Sequence, residues 1–299
     1  MPELREPPLA PVRALAELRD CGLAARIVVD GMQIGGHPSR SAGEGVEFSQ
    51  FRSYQPGDDI RRVDWKLFGR SGRFFVREAE RESATIVRIA VDASASMAYA
   101  EDDVSLLDVA RVVAATLAVI AIRQGDAVAL YPLSDARPLP VVPAVHDRRQ
   151  GARLLTALAR IAPVGALPVA AATEALLLDG PRGITVIISD LHERAAELRP
   201  VAARLAGLGH DVAIIHVVGR REREFDYGGV VRFVELETGR ELEVDASAAR
   251  ARYLAARDAD WREMERELTV QRISYLRLAL DDALAPLLHR YLRLRARRP

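Results

Sequence analysis

The sequence predicts an α/β fold built on a doubly wound, mostly parallel sheet. Three observations carry that expectation. From Ala84 onward, short β-rich runs alternate with longer helical ones, and strands separated by helices imply a parallel sheet covered on both faces. The runs Ile86–Val91 and Ile184–Ile188 are rich in β-branched residues and lead into Asp92 and Ser189-Asp190, as buried central strands with polar ends would. The chain has 299 residues, 49% of them hydrophobic, so a sizeable core can form.

Each element has a local reason. Residues 1–11 are Pro-rich and loose. Val12–Val29 reads as helical, with Gly22 as its weak point. Gly31–Gly45 is an irregular Gly- and Ser-rich loop. Glu47–Arg52 suits a strand or the start of a short helix, and its periodicity does not choose. Pro56-Gly57-Asp58-Asp59 is a turn, and Arg73–Glu78 a strand. Strand Ile86–Asp92 is followed by helix Leu106–Arg123 and strand Ala127–Leu133. Leu139–Val145 carries Pro140 and Pro143 and can only be an edge strand. Asp147–Ile161 and Val169–Leu178 are helical, Ile184–Ser189 is a core strand, and helix Ala195–Leu208 stops at Gly209. Val212–Val218 is a strand. Val230–Val244 forms a hairpin around Glu237-Thr238-Gly239-Arg240. Helix Ala248–Leu268, strand Ile273–Leu278 and helix Asp282–Arg297 complete the chain. The expected division is an N-terminal segment, 1–83, packed on a main domain, 84–299, that carries a hairpin-helix insertion near 219–268.

Composition excludes several classes. The 42 basic and 42 acidic residues cancel, so no global field favours nucleic acid or an anionic membrane. Cys21 is the only cysteine, which rules out an intrachain disulfide and a multi-cysteine zinc site. The longest apolar run, Val112–Ile122, is too short to span a bilayer. The first residues lack a signal-peptide pattern, so a cytoplasmic location is expected. Lys66 is the only lysine.

Asp92-Ala-Ser94-Ala-Ser96 is the leading candidate site. One carboxylate and two hydroxyls leave a strand end together, which is where open α/β sheets place ligands. Hard oxygen donors at this spacing suit Mg²⁺. Right-handed crossovers would bring Ile184–Ser189 beside the first strand, so Asp190 could reach the same cation. Taken singly, the first motif also fits a Ser-rich turn, and Asp190 a helix cap. The first motif resembles the metal-ion-dependent adhesion site of von Willebrand factor A domains. That resemblance implies a further Thr, in a Gly-x-Thr opening a helix; this chain has Gly165-Ala166-Leu167-Pro168, and Thr173 lies too far along. With Leu167 at the Thr position the site is incomplete, and Mg²⁺ is expected to bind weakly or not at all.

A second stretch is dense in polar, aromatic and turn residues: Glu47-Phe48, Arg52-Ser53-Tyr54, Pro56-Gly57-Asp58-Asp59 and Arg61-Arg62-Val63-Asp64-Trp65-Lys66. Its acidic residues offset its basic ones, which argues against nucleic acid. Trp65 reads as a buried anchor, and Asp58 or Asp59 as a cap on a turn or helix. With Gly43-Glu44-Gly45 before it and the Asp92 and Asp190 motifs after it, this stretch resembles the signature of the domain of unknown function 58 family. The resemblance implies a von Willebrand factor A-like (Rossmann-like) domain behind a family-specific N-terminal segment. It also implies companionship with a MoxR-type AAA+ ATPase in chaperone-like assembly or maturation of client proteins.

Enzyme readings have less behind them. A haloacid-dehalogenase-type phosphatase needs a second Asp where Ser94 stands. No Gly-x-Ser-x-Gly elbow and no Gly-x-x-x-x-Gly-Lys loop occurs. His37, His146, His192, His210, His216 and His289 are scattered, and Cys21 has no His near it in sequence. A non-enzymatic protein-interaction adaptor is therefore expected. The alternative is a metal-dependent hydrolase using an Asp92/Asp190 cleft. Close approach of Asp92, Asp190 and His192 beside an open pocket favours the hydrolase; a flat face favours the adaptor.

Overall fold

The structure is a computed structural model. It describes residues 10–32, 48–55, 63–79, 85–136, 142–145, 147, 149–192, 197–236 and 238–296, with backbone alone at 48–52, 77–79 and 296. Two compact units emerge. The described residues 10–32 and 85–296 form the first, and those from 48 to 79 the second.

Helices α1 (Val12–Ala16) and α2 (Cys21–Gly31) open the first unit. Arg19, at φ 54°, breaks the single helix expected there. Asp20 caps α2 by accepting from the Leu23 N–H at 2.9 Å, satisfying a donor that the helix leaves open. Ala24, Ala25, Val28 and Val29 of α2 are buried in the main core. The boundary expected at 83 therefore separates helices that the packing holds together with residues 85 onward.

The second unit contains β1 (Phe48–Ser53), α3 (Trp65–Ser71) and β2 (Phe75–Ala79), with β1 and β2 antiparallel. The cap of α3 is Asp64, which accepts from the Leu67 N–H at 2.9 Å. Asp58 and Asp59 lie outside the described residues. Trp65 is 58% exposed, not buried. It meets Phe68 and Phe74 edge-on, and Val63 and Val76 are the buried apolar residues described in this unit.

The chain then builds β3 (Ile86–Asp92), a one-turn 3₁₀ helix (Ala95–Ala98), the short antiparallel pair β4 (Ala100–Glu101) and β5 (Val104–Ser105), and α4 (Leu106–Arg123). Next come β6 (Ala127–Leu133), β7 (Val142–Val145), α5 (Gln150–Arg160), α6 (Ala170–Leu177), β8 (Ile184–Ser189), α7 (Leu198–Gly207) and β9 (Asp211–Val218). The last elements are α8 (Arg220–Glu224), the hairpin β10 (Val230–Val234) and β11 (Glu241–Asp245), α9 (Ala246–Val270), β12 (Ser274–Ala279) and α10 (Leu284–Ala296).

Six strands form a mixed but mostly parallel sheet in the order β12-β9-β8-β3-β6-β7. Only β7, at the edge and interrupted by Pro143, runs antiparallel. Alternate residues of the central strands face two separate cores. Val87, Ile89 and Val91 meet α1, α2, α4, α5 and α10; Ala90 and Ile187 meet α6 and α7. Helix α4 is covered on nearly every side, which explains its almost continuous apolar sequence. A capping box of Ser105 and Asp108 starts it.

Chain order places β6 on one side of β3 and then returns to lay β8 on the other, pairing Val87 with Ile184 through Val91 with Ile188. The carboxyl ends of β3 and β8 are thus a topological switch point, where a crevice opens in such sheets.

Candidate functional site

Asp92 is the last residue of β3 and Asp190 directly follows β8. Register puts Val91 opposite Ile188, so both carboxyls leave one edge of the sheet. The Asp92 carboxylate is fully buried. Its Oδ1 accepts from the Ser94 N–H at 2.9 Å and its Oδ2 from the Ser189 hydroxyl at 2.6 Å. The Ser94 and Ser96 hydroxyls lie 2.9 Å apart. Ser189 in turn accepts from the Leu191 N–H at 2.9 Å, and Leu191, at φ 55°, turns the chain sharply after β8. That turn brings His192 back over Asp190: its N–H donates to Oδ1 at 3.1 Å and its ring Nδ1 stands 3.3 Å from Oδ2. The Asp190 Oδ2 is buried and lacks a well-aligned hydrogen bond, and the His192 ring is the group that faces it.

The loop that would carry a Thr does touch the site, but only through its backbone. The Gly165 carbonyl accepts from the Ala95 N–H at 2.8 Å, and the Val164 N–H donates to the Ala93 carbonyl at 2.8 Å. Gly165 sits at φ 71°, and a Cβ there would lie 2.5 Å from the Asp135 carboxylate, so only glycine lets the loop approach this way. Leu167 is buried in the second core with Tyr131, Leu133 and Ile187. The Thr173 hydroxyl donates to the Pro168 carbonyl at 3.4 Å.

Burial, and then the charge of Asp190, raise the Asp92 pKa to about 7. Burial also acts against ionised Asp190, but the hydrogen bond and charge of His192 outweigh it and hold that carboxyl below its ordinary value. The Asp190 contact raises His192 to about 9 despite desolvation, with Glu222 and Asp92 adding to it. The site thus pairs ionised Asp190 with an imidazolium beside a carboxyl that ionises only near neutral pH. Two carboxyls, one of them with an orphaned buried oxygen, and two hydroxyls form a donor set that fits a hard divalent cation. Among the described residues there is no group of three or more His, Cys, Asp or Glu arranged to hold a metal, so any cation here depends on the serines.

Two residues that sequence reasoning did not bring to the site are Glu101 and Glu222. The buried Glu101 carboxylate accepts from the Tyr99 hydroxyl at 2.9 Å and from the N–H groups of Arg220 at 3.2 Å and Arg221 at 2.8 Å. It thereby pins the start of α8. That places the Glu222 carboxylate 3.8 Å from the His192 Nε2, and burial raises the Glu222 pKa. No local pattern announces either contact, because Glu101 acts across about 120 residues of chain. A cleft of about 970 Å³ runs from Ser96 and His192 along α8, the β10–β11 hairpin and α9. A smaller cavity of about 340 Å³ lies behind His192 against His216, Arg257 and Trp261. Burial and the neighbouring His192 charge lower His216 to about 4, and its Nδ1 pairs with the Tyr275 hydroxyl at 2.7 Å.

Of the second motif, Tyr54 lies against Phe74 with ring centroids 6.2 Å apart, Asp64 caps α3, and Trp65 and Lys66 are exposed. Phe48 and Arg52 lie in β1; Glu47, Pro56, Gly57 and Arg61 lie outside the described residues. Among the described residues no helix is long and apolar enough to cross a membrane.

A family model described as "Protein of unknown function DUF58" matches residues 50–263. Uncharacterized proteins of Mycobacterium bovis and Mycobacterium tuberculosis are 34% identical over 256 residues, covering 82% of this chain and 79% of theirs. Among solved structures, the conserved hypothetical protein BatB from Bacteroides thetaiotaomicron matches at a TM-score of 0.43 with 14% identity, covering 71% of this chain and 98% of that one. An aerotolerance-related membrane protein from Bacteroides fragilis matches at 0.41 with 15% identity and the same coverage.

Proposed function

The chain belongs to the DUF58 family, and we propose that it is a non-enzymatic adaptor. In this reading a von Willebrand factor A-type domain engages a MoxR-type AAA+ ATPase on the cytoplasmic side, in chaperone-like assembly or maturation of client proteins. The observation that carries the reading is the juxtaposition of Asp92 and Asp190, with Ser94 and Ser96, at the switch point of the sheet. Two buried carboxyls set against each other cost stability, and such a cost is understood where function needs the charge. Asp92, Ser94, Ser96 and Asp190 would hold Mg²⁺ weakly, since Leu167 contributes no oxygen. When bound, the cation supplies an electrophilic position for a partner's Asp or Glu. Ser189 and the Ser94 N–H orient Asp92 for that task, and His192 screens Asp190 until the partner arrives.

The test is titration of the chain with a MoxR-type ATPase, wild type against Asp92→Ala, with and without chelator. Loss with the variant and with chelator supports a metal-mediated contact; loss with the variant alone supports a metal-free one. Equal binding in every condition removes the site from that complex, and no binding by wild type removes the partner.

The metal-dependent hydrolase is a second reading, favoured by the closeness of His192 to Asp190 beside an open cleft. A histidine held near pKa 9 is a poor general base at neutral pH, which is why the adaptor is preferred. Turnover of a phosphoester or peptide substrate that stops with Asp190→Asn would reverse that preference.

A further inference from the structure

We propose that the cleft walled by α8, the β10–β11 hairpin and α9 is a docking groove for an acidic-aromatic protein segment, in which an Asp or Glu stands beside aromatic or aliphatic residues. The proposal rests on the adaptor reading and deepens it, because the groove begins at Ser96 and His192, where a partner carboxylate would be held.

The groove has an apolar floor. Phe225 lies against Tyr253 with ring centroids 4.3 Å apart, and Tyr227 against Phe233 at 5.2 Å. At its outer end the hairpin leaves Val234, Leu236 and Leu242 exposed at 49%, 48% and 64%. Scattered exposed apolar residues are ordinary, but a contiguous set rimmed by charge marks an interaction site. A volume of about 970 Å³ is at the upper end for small-ligand pockets, which enclose most of their ligand. Here the aliphatic wall continues into solvent, which suits a chain segment passing through.

Charge then chooses the partner. Of the groove carboxylates, Glu241 faces Arg232 at 3.5 Å, Glu222 shares His192 with Asp190 and stands 3.8 Å from its ring, and Glu235 meets only the neutral Thr238 hydroxyl. Among the described residues, Arg240 and Arg252 make no ion pair, and Arg221 lies only over the Tyr227 ring, 5.9 Å from its centroid. Among the described residues, three guanidiniums of the groove make no ion pair against one such carboxylate, Glu235, so its unpaired cations outnumber its unpaired anions although the whole chain is neutral. Guanidiniums flanking an apolar floor complement carboxylates flanking apolar side chains.

The probe is a phage-displayed library of random peptides of about twelve residues, panned on the full chain with Mg²⁺ present. Enriched peptides should carry Asp or Glu within a few residues of Phe, Tyr, Trp or Leu. A labelled peptide of the enriched sequence should bind at least about tenfold more weakly to Arg240→Glu/Arg252→Glu. It should also bind several-fold more weakly to Leu242→Ser. Both variants alter exposed side chains, and unchanged melting temperatures verify that they fold. No enrichment over blank support, enrichment of basic peptides, or indifference to these variants overturns the groove. Asp92→Ala and chelation separate the two readings. A peptide that ignores both yet responds to the groove variants leaves the groove standing and removes the anchor. One that responds to Asp92→Ala alone does the reverse.

Discussion

Asp92→Asn should make this protein more stable at pH 8. The buried Asp92 carboxyl ionises near pH 7 in the folded chain, against an ordinary value of 3.8. A raised folded value means that the native state holds the proton more tightly than the unfolded chain. The associated stability is fully present below the ordinary carboxylate range and is lost as the pH rises to about 7. Each pH unit of that interval is worth about 1.36 kcal/mol, so the upper bound of the loss is roughly 4 kcal/mol. Relaxation around the Asp190 pair lowers it by half, to about 2 kcal/mol. Asparagine keeps an acceptor for the Ser94 N–H, and its amide can donate to the Ser189 hydroxyl, so the neutral side chain keeps the hydrogen bonds without the charge. The variant should gain about 2–4 kcal/mol at pH 8, a rise of roughly 4–8 °C in melting temperature for a chain of this size, and little at pH 4. Mg²⁺ should stabilise wild type at pH 8 by mass action and leave the variant unmoved. Thermal unfolding followed by circular dichroism at both pH values, with Mg²⁺ or chelator, measures all of this. A variant less stable than wild type at pH 8, or equally stabilised by Mg²⁺, refutes the account of Asp92 as a charge kept for function.

Three further outcomes follow from the same geometry. His192→Ala removes the cation that faces the orphaned Asp190 oxygen; because His192 is 57% exposed, the gain in Mg²⁺ affinity read by calorimetry should be modest, about fivefold, and unchanged or weaker binding would show that the imidazole assists the site. Leu167→Thr should not complete the site, because residue 167 packs into the second core; it should cost about 1–3 kcal/mol in chemical denaturation with Mg²⁺ affinity unchanged, and tighter Mg²⁺ binding would show that the loop can turn outward. Trp65→Ala should cost under about 1 kcal/mol, not the roughly 3–5 expected of a buried aromatic, since the indole is mostly in solvent; a large fall in melting temperature would contradict its exposure.

The sheet and the strand ends that carry Asp92 and Asp190 could be read from the sequence. A strand buried on both faces needs only its own run of β-branched residues, and the side-by-side placement of β3 and β8 follows from the handedness of crossovers. What the sequence could not assign were the directions of side chains governed by distant contacts. Leu167 occupies the position where a Thr is implied, yet whether it faces a cation or a core depends on Tyr131, Leu133 and Ile187. His192 reads as a surface imidazole until the left-handed turn at Leu191 swings it onto Asp190. Trp65 reads as an anchor because indoles are usually buried, but its described ring neighbours, Phe68 and Phe74, meet it only by an edge and leave it mostly in solvent. Glu101 and Glu222 are ordinary charges in sequence; only the tertiary structure joins α8 to the β4–β5 turn and so builds the cleft. Strand formation is decided by neighbours in the chain, whereas orientation and burial are decided by neighbours in space.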